Sequence, residues 1–211
     1  MFGIKDDTVF EEFEEEELRN PCPRKEVEGR WIYTSRELRR PKRYGPPVLC
    51  DFGSTVSGEK ERLGDVQPDI YRSPEVILQA PWQYKIDIWN AGCLIWDIFE
   101  GGHLFYGTDP EHKYRSRAHL AEIMALLGPP PPKLLAGGTI TGKFFAEDGT
   151  FQVGIDPPPS VSLEELETNL EGAEKERFMM LMRKMLQWLP QNRSTAKELA
   201  DDPWINGILG G

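Results

Sequence analysis

Between Ile86 and Ile98 the chain reads Ile-Asp-Ile-Trp-Asn-Ala-Gly-Cys-Leu-Ile-Trp-Asp-Ile, apolar nearly all the way round a helical wheel. A helix of that kind is stable only if other elements cover most of its surface, so the rest of the fold must be laid around it. Gly101-Gly102 supplies its stop. The run from Glu174 to Trp188 can provide cover, because Phe178, Leu181, Met182 and Met185, continuing to Leu189, recur at helical spacing. Its methionines read as core, not as a cofactor surface. A further helix is predicted over about 111–127, stopped by Pro129 to Pro132, and another over 163–170. Ser194 or Thr195 can cap a last helix that Pro203 ends. Residues 128–160 are rich in Pro and Gly, with Phe144, Phe145 and Phe151 as anchors, and read as a long ordered loop. The fold class is mainly α, with a few short strands at the start.

Charge narrows the function. The 211 residues carry a net charge of −10, whereas a general nucleic-acid binder needs a basic face to displace counterions. The 3 cysteines, Cys22, Cys50 and Cys93, are odd in number and far apart, which suits neither a disulfide framework nor a zinc site. Met1 to Asp7 lacks the basic and apolar regions of a signal peptide. The longest apolar stretch, Ala91 to Phe99, is broken by Asp97 and is too short to cross a bilayer. A cytoplasmic or nuclear protein without membrane or nucleic-acid partners is the expectation. Residues 6–47 stand apart: acidic at Glu11, Glu12 and Glu14 to Glu17, then basic at Arg36, Arg39, Arg40, Lys42 and Arg43. They read as a solvated, partly ordered insertion between two strands.

Val48-Leu49-Cys50 reads as a short buried strand leading into Asp51-Phe52-Gly53. An aspartate at a strand end, followed by an apolar anchor and a flexible glycine, can hold a divalent metal against triphosphate oxygens. Alone the tripeptide also arises by chance as a turn. With Ser73-Pro74-Glu75 downstream, and both ahead of the buried helix, the order is hard to obtain by accident. His103, His112 and His119 have no nucleophile or metal partner nearby in sequence and read as surface or packing residues.

These motifs resemble the eukaryotic protein kinases. Asp87-Ile88-Trp89-Asn90-Ala91-Gly92 looks like the start of the large buried helix of the kinase C-terminal lobe. Arg193 looks like the late arginine that pairs with the glutamate closing the activation segment, here Glu75. Within the kinases the resemblance is to the SR protein kinases, and to a fungal branch of them. It rests on Tyr71-Arg72-Ser73, Asn20 to Lys25, Leu126 to Pro129, Lys133 to Gly138 and Lys143-Phe144-Phe145.

The resemblance implies a kinase C-terminal lobe over residues 1–211, with a short β-hairpin at its N-terminal side, an activation segment at 51–75 and a family insert at 128–160. Asp51 would hold Mg²⁺ on ATP, with Phe52 and Gly53 beside it. Asp87, Trp89, Glu75 and Arg193 would be structural. It also implies that the Gly-rich loop, the strand lysine and the catalytic loop lie before Met1, so no catalytic base belongs to these residues. The expectation is a truncated chain, inactive alone, whose parent transfers the γ-phosphoryl group of ATP to Ser and Thr of protein substrates. The competing reading is a non-catalytic lobe working as a protein-interaction module, with a missing N-lobe or partner chain. Two departures bear on specificity. Pro68 takes the place of a threonine that usually steadies the catalytic aspartate, and proline offers neither hydroxyl nor N–H. Tyr114 to His119 is basic where the SR protein kinases have an acidic docking groove, so an Arg-rich substrate should be repelled there. Ser54, Thr55 and Ser57 could be ordered by phosphorylation only with an arginine partner such as Arg62 or Arg72, and read as unmodified.

Overall fold

The computed structural model describes residues 1–155 and 157–209. Their elements, in chain order, are β1 (Phe2–Ile4), α1 (Thr8–Arg19), β2 (Arg24–Val27), β3 (Arg30–Tyr33), β4 (Tyr44–Pro47), α2 (Pro74–Ile77), α3 (Lys85–Glu100), α4 (Ser116–Leu127), α5 (Pro132–Gly137), α6 (Leu163–Leu166), α7 (Gly172–Met185), α8 (Ala196–Ala200) and α9 (Pro203–Leu209). They divide into two compact units, residues 1–56 and 57–211.

In the first unit β1 and β4 pair antiparallel, Phe2 opposite Pro47 and Ile4 opposite Tyr44. The pairing strand is therefore not Val48 to Cys50. It takes the last residues of the stretch read as an insertion. Val48 is 52% exposed and Leu49 83%, so the predicted burial of that segment is also corrected. Among the described residues its ladder-like contacts are Val48 N–H to Met1 O at 2.7 Å and the Met1 amino group to Val48 O at 2.9 Å. Between the strands, the acidic run forms α1, and Arg36 and Arg39 reach back to Glu17 and Glu12. β2 and β3 form a hairpin from Arg24↔Tyr33 to Val27↔Arg30, turning at Glu28-Gly29 with positive φ at both residues, as a two-residue hairpin turn requires.

The second unit is helical, and α3 lies at its centre. Ile86, Ile88, Trp89, Gly92, Cys93 and Trp96 are buried, but Leu94 and Ile98 are 45% and 67% exposed, so one stripe of the helix is left uncovered. Gly101 ends it in the left-handed conformation, φ 74°. On α7, Phe178, Met179, Leu181, Met182 and Met185 are buried. Each such side chain contributes about 1.5–3 kcal/mol by leaving water. Gly92 lets the two helices approach closely: a Cβ there would meet Met185 Cβ and Leu186 Cδ2, each at 3.1 Å. Trp89 stacks on Phe105 with ring centroids 5.7 Å apart.

Several boundaries differ from those the sequence suggests. Helix α4 starts at Ser116, not near 111, because the Asp109 carboxylate accepts the N–H groups of Glu111 and Lys113 and Thr108 bridges Tyr114, which turns the chain there. Among the described residues proline opens three helices, Pro74 in α2, Pro132 in α5 and Pro203 in α9, since its missing N–H costs nothing in a first turn. Pro203 thus begins a helix instead of ending one, and 128–160 is not all loop, although Asp156 within it lies outside the described residues. Helix α6 stops at Leu166 and α7 at Met185, both earlier than the periodicity suggests. Thr195, not Ser194, caps α8, accepting from Glu198 N–H while Glu198 accepts from Thr195 N–H. No helix among the described residues is long and apolar enough to cross a membrane.

Candidate functional site

Asp51 sits in the left-handed region, φ 67° and ψ 55°, at the entry to a 3-10 turn spanning Phe52–Ser54 that closes with Thr55 N–H to Phe52 O. Outside glycine this conformation is tolerated best by Asn and Asp, whose short polar side chains offset its steric cost. The Asp51 carboxylate accepts no hydrogen bond among the described residues, and Phe52 is 60% exposed beside it. Mg²⁺ on a nucleotide takes one or two carboxylates together with phosphate oxygens and water. Asp51 fits as one such ligand. No group of three His, Cys, Asp or Glu side chains gathers among the described residues to complete a protein cage.

In the helical unit, Glu75 and Arg193 meet across 118 residues of sequence. Arg193 donates Nη1 to Glu75 Oε1 at 2.6 Å and Nη2 to Oε2 at 2.7 Å, the fork-to-carboxylate geometry that arginine's planar head allows. The two side chains are 0% and 1% exposed. Arg193 also donates to the carbonyls of Gln187 and Lys85 at 3.0 Å and of Trp188 at 3.5 Å, and its guanidinium carbon lies 5.2 Å from the centre of the Trp89 ring. Lys85 Nζ in turn donates to Arg193 O at 2.6 Å. Glu75, Arg193 and Trp89 thus form one buried knot joining α2, α3 and the turn before α8. Asp87 is not part of it. Partial burial pushes the Asp87 carboxyl up, and it accepts no hydrogen bond among the described residues.

The segment ahead of Glu75 is fastened by residues that sequence reasoning overlooked. Gln67 donates to Ile86 O at 2.8 Å and accepts Ser73 N–H at 3.0 Å, bridging the loop to α3. Ser73 is fully buried, so its N–H has no water to turn to. Gln67→Ala is expected to lower stability by about 1–3 kcal/mol in urea unfolding, because a buried donor loses its partner. Tyr71 O–H donates to Asp97 Oδ2 at 2.6 Å, and that bond raises the phenol pKa to about 12. A single sequence carries no signal for either contact, since a glutamine and a tyrosine in a loop have many alternative partners.

The basic stretch Tyr114 to His119 is partly neutralised from within. Arg115 Nε donates to Asp109 Oδ2 at 3.2 Å, and Arg117 Nη2 lies 3.8 Å from the same oxygen. Burial alone would raise the Asp109 carboxyl, but the Lys113 N–H and the Arg115 guanidinium outweigh it and hold it below the ordinary range. Gly107, at φ 60°, leaves the space that the Tyr114 ring occupies, 2.6 Å from where a Cβ would stand. His119 is wholly buried, 3.0 Å from the Tyr114 hydroxyl through Nδ1 and against the Phe105 ring. Burial, reinforced by the Arg72 charge, drives its pKa down to about 3. Arg72 itself pairs with Asp69 at 2.9 Å and lies over the Tyr114 ring.

The sequence model described as "Protein kinase domain" matches residues 42–205. A serine/threonine protein kinase of Aspergillus fumigatus is 43% identical over 203 residues, 95% of this chain and 51% of that protein. The serine/threonine-protein kinase SKY1 of Saccharomyces cerevisiae is 32% identical over 180 residues, 83% of this chain and 24% of its own length. SRSF protein kinase 3 of Homo sapiens is 28% identical over 165 residues, 75% of this chain and 28% of its own. The chain spans about half the length, or less, of the curated relatives it matches.

Proposed function

The chain belongs to the protein kinase family, and we propose that it is the helical lobe of an SR-protein-kinase-like Ser/Thr kinase that transfers the γ-phosphoryl group of ATP to hydroxyls of protein substrates. The observation that carries this reading is the buried Glu75–Arg193 pair, which ties the end of the segment that began at Asp51 to the base of the helical unit. Such a tie gives a substrate-binding segment a rigid seat, and phosphoryl transfer depends almost entirely on positioning and charge stabilisation. Protein kinases generally use ATP and Mg²⁺, the metal offsetting charge on the phosphates. In this reading Asp51 is a ligand of that ion, with Phe52 and Gly53 shaping its turn.

The 211 residues contain neither a Gly-rich phosphate loop nor a His-x-Asp segment, and we propose that they transfer no phosphate by themselves. The test is a γ-phosphate transfer assay on the protein isolated from its native source and on the 211-residue chain. Mg²⁺-dependent transfer is expected from the former and none from the latter. Asp51→Asn in the active form is expected to lower kcat at least about a hundredfold, the scale of losing a metal's charge stabilisation. Full activity in that variant removes Asp51 from the metal site, and transfer by the isolated chain overturns the second statement. A non-catalytic interaction module is the competing reading; the exposed apolar side chains of Phe2, Val48, Leu49 and Phe52, which a stand-alone module would be expected to replace with polar ones, favour a chain that another lobe covers. The module reading prevails if the native protein transfers nothing.

A further inference from the structure

An open groove of about 470 Å³ lies in the helical unit between the start of α4 and the stretch that follows α5. Its walls carry three cations, Arg115, Arg117 and Lys143, and two apolar side chains, Phe144 and Val153. Two acidic residues also border it, and both already have partners. Asp109 is 4% exposed, and its carboxylate already accepts from Glu111 N, Lys113 N and Arg115 Nε. Glu111 is paired with exposed Lys113 at 3.4 Å.

The cations are less occupied. The side chains of Arg115 and Arg117 are 49% and 42% exposed, and Arg115 spends only Nε on Asp109. Arg117 makes two long contacts, Nη1 to Val153 O at 3.5 Å and Nη2 to Asp109 Oδ2 at 3.8 Å, and its shielded Nε has no acceptor among the described residues. Lys143 is exposed and forms no ion pair among them. The start of α4 adds to this field, since Arg115 stands at its cap position and no side chain accepts from its first turn. In a chain of net charge −10, this is a locally positive groove with apolar walls.

We propose that this groove binds a phosphorylated segment of a protein partner, with the phosphate held by Arg117 and Lys143. A phosphate brings a charge of about −1.5 to −2 and three acceptor oxygens, which two cations with spare donors can satisfy together. Phe144 and Val153 are positioned to take apolar side chains flanking the phosphoresidue. The groove is open to solvent, as an extended peptide requires. An arginine-rich segment is disfavoured in the same place by like charge.

The binding needs no ATP and no transfer step, so it is tested on the 211-residue chain separately from kinase activity. A fluorescently labelled phosphoserine peptide with apolar flanks is titrated by anisotropy, alongside its serine and glutamate counterparts. Saturable binding is expected, weakening as salt rises. The phosphopeptide is expected to bind at least about tenfold more tightly than either counterpart. Lys143→Glu and Arg117→Glu are each expected to reduce its affinity by roughly tenfold or more. Lys143 is the safer variant, because its side chain is exposed and unpaired among the described residues, and an unchanged melting curve verifies its fold. Equal affinity for the serine or glutamate peptide, unchanged affinity in Lys143→Glu, or tighter binding of an Arg-Ser repeat peptide would each overturn the proposal.

Discussion

Replacing Arg193 by alanine is expected to destabilise the helical unit by about 3–5 kcal/mol, the range found when one member of a buried ion pair is removed. Arg193 and Glu75 are both sealed from solvent, so the glutamate left behind must keep its charge without a partner or take up a proton. The loss does not stop there. The carbonyls of Gln187 and Lys85 lose their donor, and the Trp89 ring loses the guanidinium that covers it. Urea unfolding at neutral pH measures the change, and a melting temperature equal to that of the parent would refute it. Arg193→Lys is expected to recover little, because an ammonium on a flexible stem cannot donate to both Glu75 oxygens and reach the carbonyls as well. Removing both charges together with apolar residues of similar volume should cost less than the single change, because no lone charge then remains buried.

Stability is expected to fall as pH drops from about 6.5 towards 5, with His119 as the main cause. Its pKa in the folded chain lies at about 3, far below the ordinary histidine value near 6.5 that the unfolded chain shows. Between those values the unfolded state binds a proton that the folded state refuses. The neutral imidazole therefore contributes stability that is fully present above pH 6.5 and is lost on acidification, with a slope approaching 1.4 kcal/mol per pH unit. Carboxylates held low, such as Asp109 and Glu167, stay ionised in both states over this window and enter only at lower pH. Glu122, raised by burial, and Asp87 act in the opposite sense, since a raised carboxyl stabilises the fold towards acid. Comparing the parent with His119→Asn cancels those contributions. The variant should show a flatter profile between pH 6.5 and 5, whatever its absolute stability. Parallel profiles would mean that the imidazole is protonated in the folded chain.

How far these features could be read from the sequence depended on how local their causes are. The centre of the helical unit was legible, because a helix apolar on most sides dictates its own burial and the spacing of Phe178, Leu181, Met182 and Met185 dictates the face of α7. The start of α4 was not, because a single buried carboxylate, Asp109, captures the N–H groups that would otherwise extend the helix. In the sequence Pro132 and Pro203 read as terminators, although each sits where a helix begins. Val48 to Cys50 has the composition of a buried strand, but β1 pairs with the residues just before it. Among the functional residues, Asp51, Glu75 and Arg193 stood out only as members of a family pattern. Periodicity cannot join two residues 118 positions apart, and nothing in the chain announces that Gln67 spans the loop to α3.

The reach of the Glu75–Arg193 pair also bears on how the chain is made. A ribosome that has just released Glu75 must add 118 more residues before the guanidinium exists, which takes roughly 6–24 s at 5–20 residues per second. Throughout that interval the carboxylate has no Arg193 to be buried against, so closing the core around α2 and α3 carries the penalty of an unpaired buried charge. A nascent chain stalled before residue 193 would hold most of the apolar residues of the helical unit and lack the cation that offsets Glu75, which leaves that surface prone to non-specific association.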